Sequence, residues 1–361
     1  MKICHLTSLH PRYDTRIFLK ECTSLQKNGF EVSLIVADNN GDEVKNGIKI
    51  YDVCRSSNRF WRLIKTAYKV YKKAIILDAD VYHFHDSELM IYGLLLKAKG
   101  KKVIYDIHED LPRQLLTKPY LNSFLRKILS FIMERVENFC APRYNFLFTA
   151  TPYITDRFIH KNKNTININN YPLMDELHND LVSNKKDQVC FIGGISEIRG
   201  IEPLVKACEH IKGKLVLAGS FNSESFKQKI ISLKGWKNVD YRGFVNREEA
   251  KQIMSESRAG IVTFLAVPNH VNSQPNKMFE YMSAGIPVIC SNFELWKSII
   301  DKTDCGKCID PTSQEQLIKT INEFIEDTSL SSKGETARKL VVDRYNWNVE
   351  EKKLINAYKL I

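Results

Sequence analysis

The chain has 361 residues, 43% of them hydrophobic and 10% aromatic, with a formal net charge of +11. That length and apolarity suit two ordinary domains, each with its own core, and exclude a disordered chain. No apolar run approaches the ~20 residues needed to cross a bilayer, and Met1-Lys2-Ile3-Cys4-His5-Leu6 lacks the charged, then apolar, then small order of a signal peptide, so the expected location is the cytoplasm.

Residues 2–8 predict a strand, 17–27 a helix closed by Asn28-Gly29, and 31–37 a second strand, which together make a βαβ opening. The loop His10-Pro-Arg-Tyr-Asp-Thr-Arg16 carries Arg12 and Arg16 as candidates for a phosphate. Between Arg55 and Lys73 stand seven basic residues and no acidic one, while Phe60, Ile64, Ala67, Tyr68, Tyr71 and Ile75 recur at helical spacing. This predicts a basic amphipathic helix with its apolar stripe on the core and a lysine side able to rest on anionic lipid headgroups. Asp78-Ala-Asp80 has the look of a paired-aspartate metal motif, but it only introduces the strand expected at 81–85. A helical run at 88–98 stops at Gly100, a strand follows at 102–107, a long amphipathic helix covers 122–140, and another strand covers 146–151.

Tyr105-Asp-Ile-His108-Glu-Asp-Leu-Pro-Arg113-Gln114 falls at a strand end, where ligands of doubly wound domains gather. His108, Glu109 and Asp110 make a poor metal set, because neighbours on an extended chain point to opposite sides. Periodicity fails between 165 and 188, so the domains are drawn as 1–170 and 189–340, with a linker at 171–188 and a closing helical segment at 341–361. Strands at 189–192, 214–218, near Val239, at 260–265 and at 287–290 restart the alternation, with a helix at 202–210 and a last helix at 349–360.

Two stretches of this second half invite a phosphate. Gly193-Gly194-Ile-Ser-Glu-Ile-Arg199-Gly200 follows a strand and precedes a helix, so backbone amides can approach an anion while Arg199 makes a charge-assisted contact. In Ser273-Gln-Pro-Asn-Lys-Met-Phe-Glu-Tyr-Met-Ser-Ala-Gly285, Ser273 is expected to cap a helix, Pro275 to fit its first turn and Gly285 to end it. Asn276, Lys277 and Glu280 then share one face near the positive end of the helix dipole. Nine cysteines at scattered spacings read as reduced thiols, and Cys305-Gly-Lys-Cys308, with no second pair, reads as a strand turn. The positive charge calls for an anionic partner; with no zinc-finger spacing or RNA-binding aromatic motif, nucleic acid is not expected.

The run 273–292 resembles the donor-binding segment of retaining glycosyltransferase family 4, enzymes of the GT-B fold. The resemblance implies an α/β protein of two Rossmann-like doubly wound domains facing across a cleft, with the C-terminal helix crossing back to the first domain. It implies that Glu280 holds the nucleotide ribose, that the Asn276-Lys277 turn lies against the diphosphate, and that Val245, in Tyr241-Arg-Gly-Phe-Val245-Asn, sits near the base. His108 matches the histidine facing the transferred sugar, Arg113 can reach acceptor or donor, and His83, His85 and Asp86 are expected along the cleft wall. Two departures stand out: Gly194 occupies the position of an arginine, with Arg199 at that of a lysine, and Asn272 replaces a glutamate that contacts the donor sugar.

Leaving-group charge at the diphosphate calls for fixed positive groups, so Arg199 and Lys277 join His108 as the expected catalytic residues, with Gly193, Gly194, Val245, Asn272, Asn276 and Glu280 for the donor and Arg12, Arg16 and Arg113 on the acceptor side. The expected activity is metal-independent, retaining transfer of a hexose or N-acetylhexosamine from a nucleotide diphosphate sugar, a UDP-sugar by preference, with no cofactor. The acceptor is a lipid-diphosphate-linked oligosaccharide of O-antigen or capsule assembly, met at the cytoplasmic face of an anionic membrane. A sugar-nucleotide epimerase of the same fold and a non-catalytic nucleotide- or glycan-binding partner are the alternatives.

Overall fold

The computed structural model describes residues 1–56, 61–118, 120–174, 185–327 and 329–361, in two compact units: Met1–Asn170 with Trp347–Ile361, and Tyr171–Asn346.

The first unit is built on a sheet of eight strands: β1 (Lys2–Leu6), β2 (Glu31–Val36), β3 (Glu43–Lys45), β4 (Ile48–Asp52), β5 (Val81–Phe84), β6 (Lys102–Ile107), β7 (Phe146–Thr149) and β8 (Thr165–Asn167). Their order is β3-β4-β2-β1-β5-β6-β7-β8, parallel except for the β3–β4 hairpin. Central strands such as β5 are buried at every position, as parallel strands covered on both faces must be. The hairpin turns at Asn46-Gly47, both at positive φ, the pairing that two-residue hairpins favour. The chain order reverses between β1 and β5, so the loops after β1, β5 and β6 meet at one sheet edge. Thr15–Cys22 leaves β1 as π-helical turns whose first amides, those of Arg16 and Ile17, donate to the Asp14 carboxylate at 2.9 and 3.0 Å.

The closing helix Trp347–Lys359 belongs to this unit. Trp347 Nε1 donates to Ser24 Oγ at 2.9 Å, the Asn169 amide donates to Glu350 at 2.9 Å, and the Tyr358 hydroxyl meets His83 Nδ1 at 2.8 Å.

The expected basic helix exists as Arg62–Thr66 followed by Ala67–Leu77, but its orientation differs from the expectation. Ala67, Val70 and Ala74 face the core, whereas Ile64, Tyr68 and Ile75 are exposed. Ala67 and Tyr71 of the expected stripe do pack on the core, Tyr71 partly buried, while Ile64, Tyr68 and Ile75 stay outside. Arg55 precedes the helix, and the expectations for Arg59 and Phe60, like those for 175–184 of the linker, lie outside the described residues.

The second unit carries six parallel strands: β9 (Gln188–Ile192), β10 (Lys214–Ala218), β11 (Val239–Gly243), β12 (Ala259–Val262), β13 (Val288–Ser291) and β14 (Gly306–Ile309). Their order, β11-β10-β9-β12-β13-β14, is that of a Rossmann sheet, with its switch point between β9 and β12. The Cys305–Cys308 stretch is therefore not a turn between strands: it supplies β14, where Cys308 pairs in register with Cys290. All nine cysteines are free thiols.

Candidate active site

In the first unit, apolar strands are interrupted by polar residues at the switch point: His5 on β1, His83 on β5 and Asp106 on β6, with His85 just past β5, all buried. Asp106 organises them. Arg16 grips both its oxygens, through Nε at 2.8 Å and Nη2 at 2.6 Å, while His108 Nε2 lies 2.6 Å and His85 Nδ1 3.1 Å from Oδ2. Burial pushes this carboxyl up, but Arg16 and His108 together hold it well below the usual carboxylate range. Glu21, 3.1 Å from Arg16 Nε, goes the other way: burial, reinforced by the Asp106 charge, raises it well above its ordinary value. Arg16 is thus paired most closely with Asp106, and Glu21 is the carboxyl of the cluster that holds a proton more readily than usual.

Burial also pushes His5, His83 and His85 below the ordinary histidine value, His85 to about 4. They are neutral at pH 7. His10 differs: burial lowers it, yet the hydrogen bond with Asp14 and the charge of Asp86 override that and raise it. Its ring lies 5.1 Å from that of His108, so the rim of the cluster pairs a cation-prone imidazole with a partly exposed one fixed by Asp106.

Arg12 and Arg16, expected at a phosphate, are committed inside the protein. Arg12 makes a bidentate contact with Asp38, both bonds 2.7 Å, and reaches Glu43 at 2.8 Å; Arg16 adds the Ile168 carbonyl at 2.8 Å. Of five N–H donors each, Arg12 engages four and Arg16 three in these bonds, so both guanidinium charges are already met by the protein's own carboxylates. Arg113 ties its short helix to Glu134 at 2.7 Å. His83, His85 and Asp86 are all buried, Asp86 accepting from the Ser8 amide at 2.6 Å and the Thr7 hydroxyl at 2.8 Å.

Two groups of side chains, His5 with Glu21, His83 and His85, and His85 with Asp106 and His108, bring potential metal-ligand atoms within 4.8 Å of one another. Both adjoin Arg16, whose fixed charge opposes a dication at that range.

In the second unit, the helix Asn276–Ser283 stands on the switch point because Tyr281 reaches under it: its hydroxyl accepts from the Ile192 amide at 2.8 Å, and its ring fills the place where a side chain on Gly260 would go. Pro275 occupies the N-terminal cap position, so the expected Ser273 cap is corrected. Ser273 instead donates to the His270 carbonyl at 2.8 Å and accepts Trp296 Nε1 at 2.7 Å, which pins the approach loop. Glu280 is buried and ion-paired with Lys277, and Arg247 Nη1 approaches its other oxygen at 3.2 Å. Burial, the largest single influence, pushes this carboxyl up; Lys277 and then Arg247 outweigh it and hold it below the ordinary glutamate value. Glu280 is a fixed anion between two cations.

The Gly193–Gly200 loop lies at the same strand ends. Gly200 (φ +71°) passes so close to the Thr263 carbonyl that a Cβ would fall 1.8 Å from it, and Gly219 meets Gly193 in the same way. The Arg199 guanidinium bonds the Gly194 carbonyl at 3.2 Å and rests over the Phe264 ring, which His270 also contacts. Asn272 lies in the loop between β12 and the helix, partly buried. The buried Gln274 Oε1 in the same loop and Thr263 Oγ1 just past β12 have no hydrogen-bond partner among the described residues. Val245 packs at the edge of the core, and its neighbour Phe244 is 83% exposed.

Sequence reasoning did not single out Arg247, Phe244, Asp106, His10 or Glu21. A charged residue inside the apolar run Lys102–Ile107 was a usable signal for Asp106; nothing local marks Arg247 as a partner of Glu280.

The family model for glycosyl transferases group 1 matches residues 174–341, and that for glycosyltransferase family 4 matches residues 16–165. Together they cover most of both sheets, the first match starting after β1, and include His85, Asp106, His108, Lys277 and Glu280. The chain is a glycosyltransferase, with the group 1 match confined to its second unit. This glycosyltransferase is 23% identical to an uncharacterized glycosyltransferase of Methanocaldococcus jannaschii over 93% of its own length and 91% of the other's. It is 29% identical to the O-antigen chain mannosyltransferase B of Escherichia coli over 35% of this chain and 31% of that one. Its fold is that of Anabaena HepE, solved with UDP-glucose, at a TM-score of 0.76, 15% identity and full coverage of both chains. The two Rossmann-like units make the glycosyltransferase a GT-B protein.

Proposed function

We propose that this glycosyltransferase moves a hexose or N-acetylhexosamine, with retention and without a metal, from a UDP-sugar to a lipid-diphosphate-linked oligosaccharide of O-antigen or capsule assembly at the cytoplasmic face of the membrane. The observation that carries the reading is Glu280, held ionised between Lys277 and Arg247 on a helix whose positive end points out of a Rossmann switch point. A buried carboxylate of this kind accepts two ribose hydroxyls, and the cations and helix amides beside it suit a diphosphate.

Bond breaking at the anomeric carbon leaves its electrons on the diphosphate oxygen. Lys277, Arg199 and the first helix amides stabilise that charge, which is the role a metal plays elsewhere. His108, oriented by Asp106, positions the sugar, and Phe244 stacks on the base beside Val245. The UDP-glucose held by HepE supports the donor class, and the partial likeness to an O-antigen mannosyltransferase supports the acceptor class.

Thermal shift against UDP-, GDP- and dTDP-sugars in the presence of EDTA tests the donor, since only the true ligand stabilises the fold. A UDP-sugar should raise the melting temperature, and NMR of the transfer product should show the donor's anomeric configuration. Stabilisation by a GDP-sugar alone sinks the choice of base, and loss of transfer in EDTA sinks metal independence.

A further inference from the structure

Three helices of the first unit pack side by side: Arg62–Thr66 with Ala67–Leu77, then Met90–Ala98, then Ser123–Cys140. Tyr71 and Tyr92 join the first two through rings 5.2 Å apart. Each turns large apolar side chains outward: Ile64 and Tyr68 on the first, Ile91 (63% exposed) on the second, Phe124 (75%), Phe131 (58%) and Phe139 (56%) on the third. On the third helix, residues 124, 128, 131, 135 and 139 recur at helical spacing, so the exposed residues form one stripe on the side opposite buried Glu137 and Cys140.

The charges on this face follow a rule. Four exposed aromatic rings each have a cation lying over them from four residues later: Lys65 over Trp61 at 4.3 Å, Lys72 over Tyr68 at 5.6 Å, Arg135 over Phe131 at 4.9 Å and Arg143 over Phe139 at 3.7 Å. Residues 62–77 and 90–98 contain no acidic side chain. The two on the third helix turn away from the stripe, Glu134 to Arg113 at 2.7 Å and Glu137 to Arg157 at 2.6 Å. The face is therefore apolar and cationic at the same points, with no exposed acid among the described residues of these three helices.

We infer that these three helices form the surface by which the enzyme lies on an anionic lipid bilayer, the rings entering the headgroup boundary while the paired lysines and arginines meet lipid phosphates. Phosphate next to acyl chain is the one surface that satisfies ring and cation together over such an area, and cations held over rings reach the headgroups as the rings go in. The inference rests on the membrane part of the proposed function and moves its weight from the lysine side of residues 55–73 to a broader face centred on Phe131.

Flotation of the full chain with vesicles of phosphatidylcholine, alone or mixed with phosphatidylglycerol, tests it. The wild type should float with the anionic vesicles and not with the neutral ones. Phe131→Asp combined with Phe139→Asp should lower partitioning by more than about tenfold, with the circular dichroism spectrum and the thermal shift by donor unchanged. Arg135→Glu with Arg143→Glu, which leaves the rings in place, should lose the salt-sensitive part of binding and guards against misfolding of the first variant. If the wild type floats and both variants float equally well, this surface is wrong while the membrane reading stands. If the wild type floats with neither vesicle, that reading falls as well. A dimer on gel filtration that Phe131→Asp disperses would make the face a contact between copies and overturn the inference.

Discussion

Glu280 shows how three side chains divide the work at one point. Its helix brings Lys277 by simple i, i+3 spacing, while Arg247 arrives from the start of another helix, Arg247–Glu256, and both act on a carboxylate that burial alone would neutralise. Glu280→Gln keeps the shape but removes the charge, so two cations lose their partner and two hydroxyl acceptors become one. Charge-assisted hydrogen bonds of this type contribute about 1.5–3 kcal/mol, so the UDP-sugar dissociation constant should rise roughly 10- to 100-fold, read by calorimetry. An unchanged constant would remove Glu280 from the donor site. Lys277 and Glu280 were legible because their pairing is local in the chain. Arg247 was not, because a contact made across 33 positions leaves no periodic mark. The same holds for Arg16 and Asp106, which meet from β6 and the helical turns after β1.

Elements show where regular patterns serve and where they mislead. The alternation of apolar runs with helical stretches was enough to see two Rossmann-like sheets, because parallel strands buried on both faces read as unbroken apolar segments. The hairpin β3–β4 was missed although Asn46-Gly47 announces it, since its strands are short and half polar. The basic helix was found with its face misjudged, because packing chose Ala67, Val70 and Ala74 over larger apolar neighbours, and the hydrophobic pattern alone ranks the large ones first. The loop before Ile201–Ala207 offers a sharper test of element placement. Gly200→Ala must place a methyl on the Thr263 carbonyl at a φ of +71°, so the loop has to move, whereas Gly243→Ala, at φ +65° with open space around it, carries only the conformational cost. For a left-handed residue that cost is about 1–2 kcal/mol. Gly243→Ala should therefore lower the melting temperature by only a few degrees, roughly 2–4 °C per kcal/mol for a unit of this size. Gly200→Ala should lower it further and abolish the thermal shift by donor. Equal melting temperatures for the two variants would mean that the Gly200 contact with Thr263, just past β12, does not hold the loop.

At the scale of the whole molecule, the buried polar cluster makes stability depend on pH in a way that single groups reveal better than the total. His5, His83 and His85 have folded values below their unfolded ones, so between about pH 6.5 and the folded value the unfolded chain binds protons that the native state refuses. Their contribution is complete above pH 6.5 and is lost on acidification, on the order of 3 kcal/mol for His85, whose folded value is about 4. Other groups pull the opposite way. Glu21 is raised, and Glu137 is pushed up to about 7 by burial despite Arg157, so their contribution is present at low pH and lost as pH rises through those values. His10, raised by Asp14 and Asp86 against burial, behaves likewise. The full melting curve is a balance of these slopes, but a difference curve isolates one. His83→Gln keeps an amide able to bond the Tyr358 hydroxyl and removes only the titrating ring. At pH 7.5 the variant should be less stable than the wild type, since a packed ring is gone. Between pH 6.5 and 5 the gap should narrow by up to about 1.4 kcal/mol per pH unit, because the wild type alone pays for holding His83 neutral. Urea unfolding at several pH values, with fluorescence read from Trp347 beside Ser24, measures that gap in the first unit. A gap that stays constant or widens on acidification would show that His83 carries its proton in the folded protein.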